Sequence, residues 1–435
     1  VRNIEWAFLV LNMEQFEIFY ECNGISTDTR NITEGSLFIC IKGDNFNGNR
    51  FASQALDKGA KHVIVDDPEF YTLGDMTLVE NSLIYLQKLS NYHRKKFNIP
   101  VIGITGSNGK TTTKELIQSV LSKKYNTLAT IGNLNNHLGV PFTLLRLTDN
   151  HEIAIIEMGA NRYKDIEELC DIAEPTHGII TNVGKAHLEG FGSFEGVLKT
   201  KSELYTAVKQ NEGIIFYNSD DEILSNAIPD NIETISYGKN EKAYVSGELI
   251  KLTPFVEMRW SCDNYISPAC ETKVIGEYNF YNFLAAITIG NFFKVDKDDI
   301  NAAIQEYTPT NRRSQVNKTE YNTLILDCYN ANPTSMALAI KSFAQNQTNH
   351  EKLIIAGEMK ELGGESIQEH QKIVELINEL GINAIYVGDG FKGQNNWFPN
   401  TASLIHQMES NRPKDKLILL KGSRSVGLEK LEEYL

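Results

Sequence analysis

At 435 residues, with 41% hydrophobic and 23% charged side chains, the chain is too long for one core and reads as two or three globular domains of roughly 100 to 200 residues each. A formal net charge of -14 argues against a general nucleic-acid binder, since phosphate backbones are held by a surplus of Lys and Arg. The six cysteines, Cys22, Cys40, Cys170, Cys262, Cys270 and Cys328, form no CxxC pair, which suggests neither a disulfide framework nor a zinc site and fits reduced thiols.

The apolar stretch Trp6 to Leu11 is too short to span a bilayer and no signal-peptide cleavage pattern follows it, so a cytoplasmic chain without a membrane anchor is expected. Met13 marks a start for the first domain, and the VRNIEWAFLVLN before it reads as an upstream extension. β-like runs at Ser36 to Ile41 and His62 to Val65, separated by a helical stretch, predict a small α/β domain over residues 13–97. Asn98, Ile99 and Pro100 form a linker into a second domain, residues 98–308. There the pattern predicts strands at Val101 to Thr105, Ile153 to Glu157 and Ile179 to Asn182, with a helix after Lys110. That alternation implies a parallel sheet covered on both faces. Residues 240–272 read as a β-rich insertion and Tyr278 to Phe293 as a helix. Past a boundary near Thr308 and Pro309, strands at Thr323 to Asp327, Lys352 to Ala356, Ala384 to Val387 and Lys416 to Leu420 alternate with helices. Residues 309–435 are therefore expected to form a doubly wound, Rossmann-like domain. There are no internal repeats and no low-complexity tracts.

The strongest chemical signal lies at the head of the second domain. Thr105, Gly106, Ser107, Asn108, Gly109, Lys110, Thr111 and Thr112 place a glycine-rich turn between a buried strand and a helix whose apolar positions are Leu116, Ile117, Val120 and Leu121. Glycines let backbone N–H groups approach phosphate oxygens, and the helix start supplies partial positive charge. Lys110 would reach the β and γ phosphates of ATP, and the Thr111 hydroxyl would bind magnesium. The generic G-x-x-x-x-G-K-[ST] spacing needs glycine where Ile104 stands, so this is a shorter form of the loop.

Glu157 ends an apolar strand, at the sheet edge where a carboxylate either holds magnesium or sits as a satisfied strand-end acid. His187 follows a further strand end and reads as a metal ligand or a structural histidine. Lys201 lies in a helix, where spacing alone makes it a solvated surface charge.

Together these residues resemble the Mur ligase superfamily, over nearly the whole chain from about Ile25. The likeness includes Ser26-Thr27-Asp28-Thr29-Arg30, the loop Thr105 to Thr112, Gly132-Asn-Leu-Asn-Asn136, Glu157 to Asn161, Thr181 to His187 and Lys201-Ser-Glu203. It continues through Asn279 to Asn282, Arg313, Asp327-Cys-Tyr-Asn-Ala-Asn-Pro333, Met359-Lys-Glu-Leu-Gly363 and Lys421-Gly-Ser423. The Tyr329 to Pro333 and Met359 to Gly363 segments most resemble the members that add D-alanyl-D-alanine to UDP-N-acetylmuramoyl-tripeptide. The resemblance implies three domains, a small N-terminal α/β domain for the UDP-sugar peptide, a central P-loop ATPase domain and a C-terminal Rossmann-like domain. It also implies ATP and Mg2+ as cofactors, an acyl phosphate intermediate, and small-molecule substrates; a monomer that binds neither nucleic acid nor membrane is expected, although nothing in the sequence itself sets the oligomeric state.

By the same resemblance, Thr111 and Glu157 hold one magnesium and His187 helps bind a second. Lys201 matches the lysine that the family carbamylates, and Lys110, His187 and Lys201 are the catalytic set. Asn282, Arg313 and Asp327 contact ATP beside the loop. Ser26, Thr27, Asp28, Thr29, Arg30, Asn135 and Asn136 meet the UDP-sugar peptide, while Asn330 and Asn332 shape the site where the amine arrives. The sequence departs from the usual family pattern at Tyr278, where many relatives have histidine, at Asn47-Gly-Asn49 in place of Asp-Gly-His, and at Glu358 in place of aspartate. Two rivals share part of this signal. Another Mur-type ligase or a folylpolyglutamate synthase would share the loop and the metal groups, and a nucleotide switch or kinase would turn over nucleotide without an amino acid.

Overall fold

A computed structural model describes residues 14–184 and 188–435, folded as two compact units that interleave in sequence. One contains the described residues up to Gly103 with Asn126–Met158 and Glu167–Thr176. The other contains Ile104–Tyr125, Gly159–Ile166 and His177 to Leu435. The expectations for Met13 and the segment before it fall outside the described residues.

In the first unit, Ile25–Ser26, Leu37–Ile39, His62–Val65 and Met76–Leu78 form a four-stranded parallel sheet in that order. Period-two alternation sends Leu37 and Ile39 to one face and Phe38 and Cys40 to the other, so each face has its own core. The helix Ser82–Lys95 starts at Asn81, whose side chain accepts from the Ile84 amide, and buries Tyr85, Leu86 and Leu89 on the Leu37 face. The same unit carries the parallel pair Thr127–Ala129 and Ile153–Glu157 and the short helix Gly139–Leu144.

In the second unit, His177–Ile180, Ile214–Asn218, Glu233–Gly238 and Val245–Lys251 pair in parallel order. Glu257–Cys262 then pairs antiparallel to Val245–Lys251, with Tyr265–Ile266 and Cys270–Glu271 on its other side. The expected β-rich insertion is thus an antiparallel extension of the parallel strands. The helix Tyr278–Phe292 is almost wholly buried and packs on Lys110–Leu121.

The last sheet runs Gln315–Lys318, Thr323–Asp327, Lys416–Lys421, Glu351–Gly357, Asn383–Val387, Trp397–Phe398, parallel except at its first edge. Helices Pro333–Gln345 and Ser366–Glu379 cover one face through Met336, Ile340, Phe343, Ile373 and Ile377. Thr401–Ser410 and Leu428–Tyr434 cover the other through Leu404, Met408, Leu428 and Leu431. This is the doubly wound arrangement, with its strands' carboxyl ends gathered on one edge.

Candidate functional site

The strand ending at Thr105 is fully buried, and the chain leaves it through two glycines at positive φ, +147° at Gly106 and +81° at Gly109. No Cβ fits at either position. At Gly106 it would overlap the Thr181 hydroxyl, and at Gly109 it would lie 2.8 Å from Asn282 Oδ1. Gly109 is the N-cap of the helix Lys110–Leu121, so backbone amides and the helix start face the same space.

The loop is braced by Thr181–Gly184. Ser107 N donates to the Asn182 carbonyl at 2.9 Å, and Asn108 N donates to Asn182 Oδ1 at 3.0 Å. The Thr181 hydroxyl and Asn182 Nδ2 both donate to the Asn108 carbonyl, at 2.6 and 2.9 Å, and Gly184 N donates to Ser107 Oγ at 2.9 Å. The strand expected over Ile179 to Asn182 therefore ends at Ile180, because Thr181 and Asn182 turn to this task. Lys110 Nζ donates to the Gly106 carbonyl at 2.7 Å. Thr111 and Thr112 are buried at the first turn.

Lys201 overturns its reading as a surface charge. It is 2% exposed, on the helix Phe194–Gln210, with Nζ 5.7 Å from the Phe191 ring centroid. Burial holds its amine well below the usual lysine range, and the nearby Lys110 charge pushes the same way, against Asp165 and Glu203. The signal was present in the sequence: Val197, Thr200, Lys201, Leu204, Tyr205 and Val208 form one stripe at helical spacing, and all are buried.

A polar ladder joins the loop helix to the last domain. The Thr113 hydroxyl donates to Asn282 Oδ1 at 3.1 Å, and Asn282 Nδ2 donates to Asn279 Oδ1 at 2.8 Å. Asn279 Nδ2 donates to the Ile275 carbonyl at 2.7 Å and to Ser314 Oγ at 3.3 Å, while Tyr278 OH shares a hydrogen bond with the same Ser314 hydroxyl. Ser314 N donates to Asp327 Oδ1 at 3.4 Å, and Asp327 pairs with the buried Lys421 at 3.0 Å. Arg313 lies with its guanidinium 3.9 Å from the Tyr329 ring centroid. Asn332 caps the helix Pro333–Gln345 in a capping box with Ser335, and its Nδ2 donates to Asn108 Oδ1 at 2.8 Å. Asn330 Oδ1 accepts from Ala331 N, and its carbonyl accepts from Lys421 Nζ at 2.8 Å.

In the first unit, Glu157 is 1% exposed and accepts from Asn135 Nδ2 at 2.7 Å, while its amide donates to the Thr130 hydroxyl. Asn136 Oδ1 accepts from the amides of Leu138 and Gly139, starting the short helix there. Ser26 ends an edge strand. Beyond it, Arg30 pairs with Asp28 through Nη2 to Oδ2 at 2.7 Å, which lowers the carboxyl to about 2. Thr29 offers its carbonyl to Lys58. His187 lies outside the described residues.

Sequence reasoning gave no role to Asn182, Ser314, Tyr329 or Lys421. Asn182, Tyr329 and Lys421 lie within segments that carry the family resemblance, but each acts by supporting another polar residue, and that role shows only in three-dimensional contact.

Three domain families match the chain: Mur ligase family, catalytic domain over residues 21–105, Mur ligase middle domain over 104–290, and Mur ligase, glutamate ligase domain over 312–424. The UDP-N-acetylmuramoyl-tripeptide--D-alanyl-D-alanine ligase of Bacillus subtilis is 31% identical over 432 residues, covering 95% of this chain and 93% of its own. The structure of MurF from Acinetobacter baumannii is similar with a TM-score of 0.85 at 29% identity, covering 97% of both chains. MurF ligase from Thermotoga maritima, solved in complex with ADP, gives 0.83 at 26% identity over 96% of this chain and 97% of its own. The chain belongs to the Mur ligase family and, within it, to the MurF branch.

Proposed function

We propose that this chain is an ATP-dependent ligase that joins D-alanyl-D-alanine to UDP-N-acetylmuramoyl-tripeptide in peptidoglycan precursor synthesis. The observation that carries the reaction class is the braced loop, with Lys110 at the head of its helix and Asn282 against Gly109. The substrate pair follows the Bacillus subtilis relative, which is related over nearly its full length.

A carboxylate is a poor electrophile at neutral pH, so it is first activated. A tripeptide carboxylate oxygen attacks the terminal phosphorus of ATP, the bond to the bridging oxygen breaks, and ADP leaves. The dipeptide amine then attacks the acyl carbon, loses a proton, and expels phosphate to leave the amide. Lys110 offsets charge on the moving phosphoryl, and the loop amides orient the triphosphate. Asn282, Arg313 and Asp327 are assigned to ATP. Ser26, Thr27, Asp28, Thr29, Arg30, Asn135 and Asn136 are assigned to the UDP-sugar peptide, and Asn330 and Asn332 to the incoming amine.

Magnesium is the second proposed cofactor. The buried Thr111 hydroxyl and Glu157 carboxylate are hard oxygen donors of the kind that suits it, each within its own unit. When bound, the ion supplies charge compensation for the phosphates. His187 belongs to the proposed ligand set, as does Lys201 once carbamylated; its lowered pKa favours the neutral amine that adds to carbon dioxide. Functional boundaries at 13–97, 98–308 and 309–435, a monomeric state and a cytoplasmic location complete the reading. Among the described residues no helix is long and apolar enough to cross a membrane.

Phosphate release from ATP in the presence of UDP-muramoyl tripeptide tests the proposal. Release should rise when D-alanyl-D-alanine is added, and Lys110→Ala should lose that stimulation. Release indifferent to the dipeptide would sink the ligase reading, and stimulation by a different amine would reassign the branch.

A further inference from the structure

The carboxyl edge of the last sheet collects four cations, Arg313, Lys360, Lys421 and Arg424. Two have carboxylate partners: Lys421 pairs with Asp327, and Lys360 with Glu358. The two arginines share Tyr329. Arg313 lies 3.9 Å and Arg424 5.2 Å from its ring centroid, and Arg424 Nη1 donates to the Tyr329 hydroxyl at 3.3 Å. Among the described residues neither arginine meets a carboxylate, in a chain whose net charge is -14.

Arg424 is exposed but its backbone is fixed. Ser423, just before it, is buried, donates its amide to the Glu358 carbonyl at 3.1 Å, and accepts the Lys360 amide at 3.0 Å. The Arg424 carbonyl accepts from Gly427 N at 3.1 Å. With its side chain steered by the Tyr329 ring and hydroxyl, Arg424 presents the rest of its planar fork to solvent, a geometry matched to a carboxylate. The segment that carries Tyr329 also carries Asn332, whose side chain touches Asn108 of the phosphate loop. They stand three positions apart, a span of at most about 11 Å.

We propose that Arg424 binds the C-terminal carboxylate of the incoming dipeptide and so selects a free acid, with Tyr329 as the residue that positions the guanidinium. This rests on the ligase reading above. D-alanyl-D-alanine holds its amine and carboxylate at opposite ends of about 7 Å of extended chain. In this assignment the amine lies toward Asn332, the residue of the same segment that contacts the phosphate loop. Arg313 is assigned to ATP, follows the linker that Ser314 ties to Asn279, and is not needed for this contact.

The test compares D-alanyl-D-alanine with its C-terminal amide in the wild type, Arg424→Ala and Arg424→Lys. The wild type should favour the acid in kcat/KM by on the order of 10- to 100-fold, the worth of one charge-assisted hydrogen-bonded pair. In Arg424→Ala acid and amide should become equal, with KM for the acid raised by that factor and KM for ATP and for the UDP tripeptide within about twofold of wild type. Arg424→Lys, a point charge without the fork, should recover part of the preference. An Arg424→Ala enzyme that still prefers the acid, or whose KM rises for ATP instead, overturns the assignment while wild-type dipeptide-stimulated release leaves the ligase reading standing. A wild type with no such stimulation overturns both.

Discussion

The phosphate loop and the Ser26 to Arg30 segment are both proposed to meet phosphate-bearing substrates, and they are held by opposite means. Around the loop, Ser107, Asn108 and Lys110 are tied to Asn182, Thr181, Gly184, Asn332 and the loop's own carbonyls. Beyond Ser26, the strongest tie is between sequence neighbours, Arg30 on Asp28, with the Arg30 side chain 85% exposed. A group that must meet a moving phosphoryl is fixed before the ligand arrives, because a misplacement of about 1 Å costs on the order of 100-fold. A group that grips a remote part of the substrate can reorganise on binding, at a cost to affinity alone.

If the contrast is right, the largest effect should come from the buried side. Replacing Lys201 by Met keeps the volume and removes the amine. Activity should fall by about 100-fold, high bicarbonate should not restore it, and the melting temperature should hold, since a buried charge liability is lost. Full activity in that variant rejects the carbamate role and shows the burial to be structural.

An intermediate effect should appear in acid. His177 opens the strand that leads to Thr181 and packs against the rings of Phe216, Phe292 and Phe293, and burial lowers its pKa to about 4. Above pH 6.5 the imidazole is neutral in both folded and unfolded chains. Between pH 6.5 and 4 the unfolded chain binds the proton that the folded one refuses, so stability drains away as pH falls, by about 3 kcal/mol over the window. His177→Phe should flatten the fall of melting temperature across that range; an unchanged slope would show that other groups set it.

The smallest effect belongs to the exposed pair. Arg30→Ala should raise KM for the UDP tripeptide several-fold while changing stability by less than about 0.5 kcal/mol, because an exposed ion pair contributes little. A large loss of stability on thermal unfolding would show the segment to be as rigidly built as the loop.

What could be read from the sequence depended on how local the signal was. The loop's glycines, lysine and threonines are contiguous, and the strand and helix on either side follow from hydrophobic period alone. Four of the last sheet's six strands agree with the pattern to within a residue for the same reason, whereas the edge strands Gln315–Lys318 and Trp397–Phe398 are polar or too short to show a hydrophobic period. Spacing alone leaves Lys201 with a lysine's default of solvent and only the family resemblance singles it out, although its place in the stripe with Val197, Leu204 and Tyr205 marks a buried position. The ladder through Asn282, Asn279 and Ser314 was out of reach, since its members lie far apart along the chain and only folding sets their order. The short form of the loop, with Ile104 in place of the generic glycine, is explained by the strand. Ile104 is fully buried there, and the turn begins only at Gly106.

The ammonium of Lys110 already donates to the carbonyls of Gly106 and Ser107, at 2.7 and 3.5 Å. An arriving polyphosphate therefore competes with the protein for this cation, trading neutral acceptors for an anionic one, a gain of about 1 kcal/mol. The loop keeps its form by chelating its own lysine, and admits only guests charged strongly enough to take that lysine away.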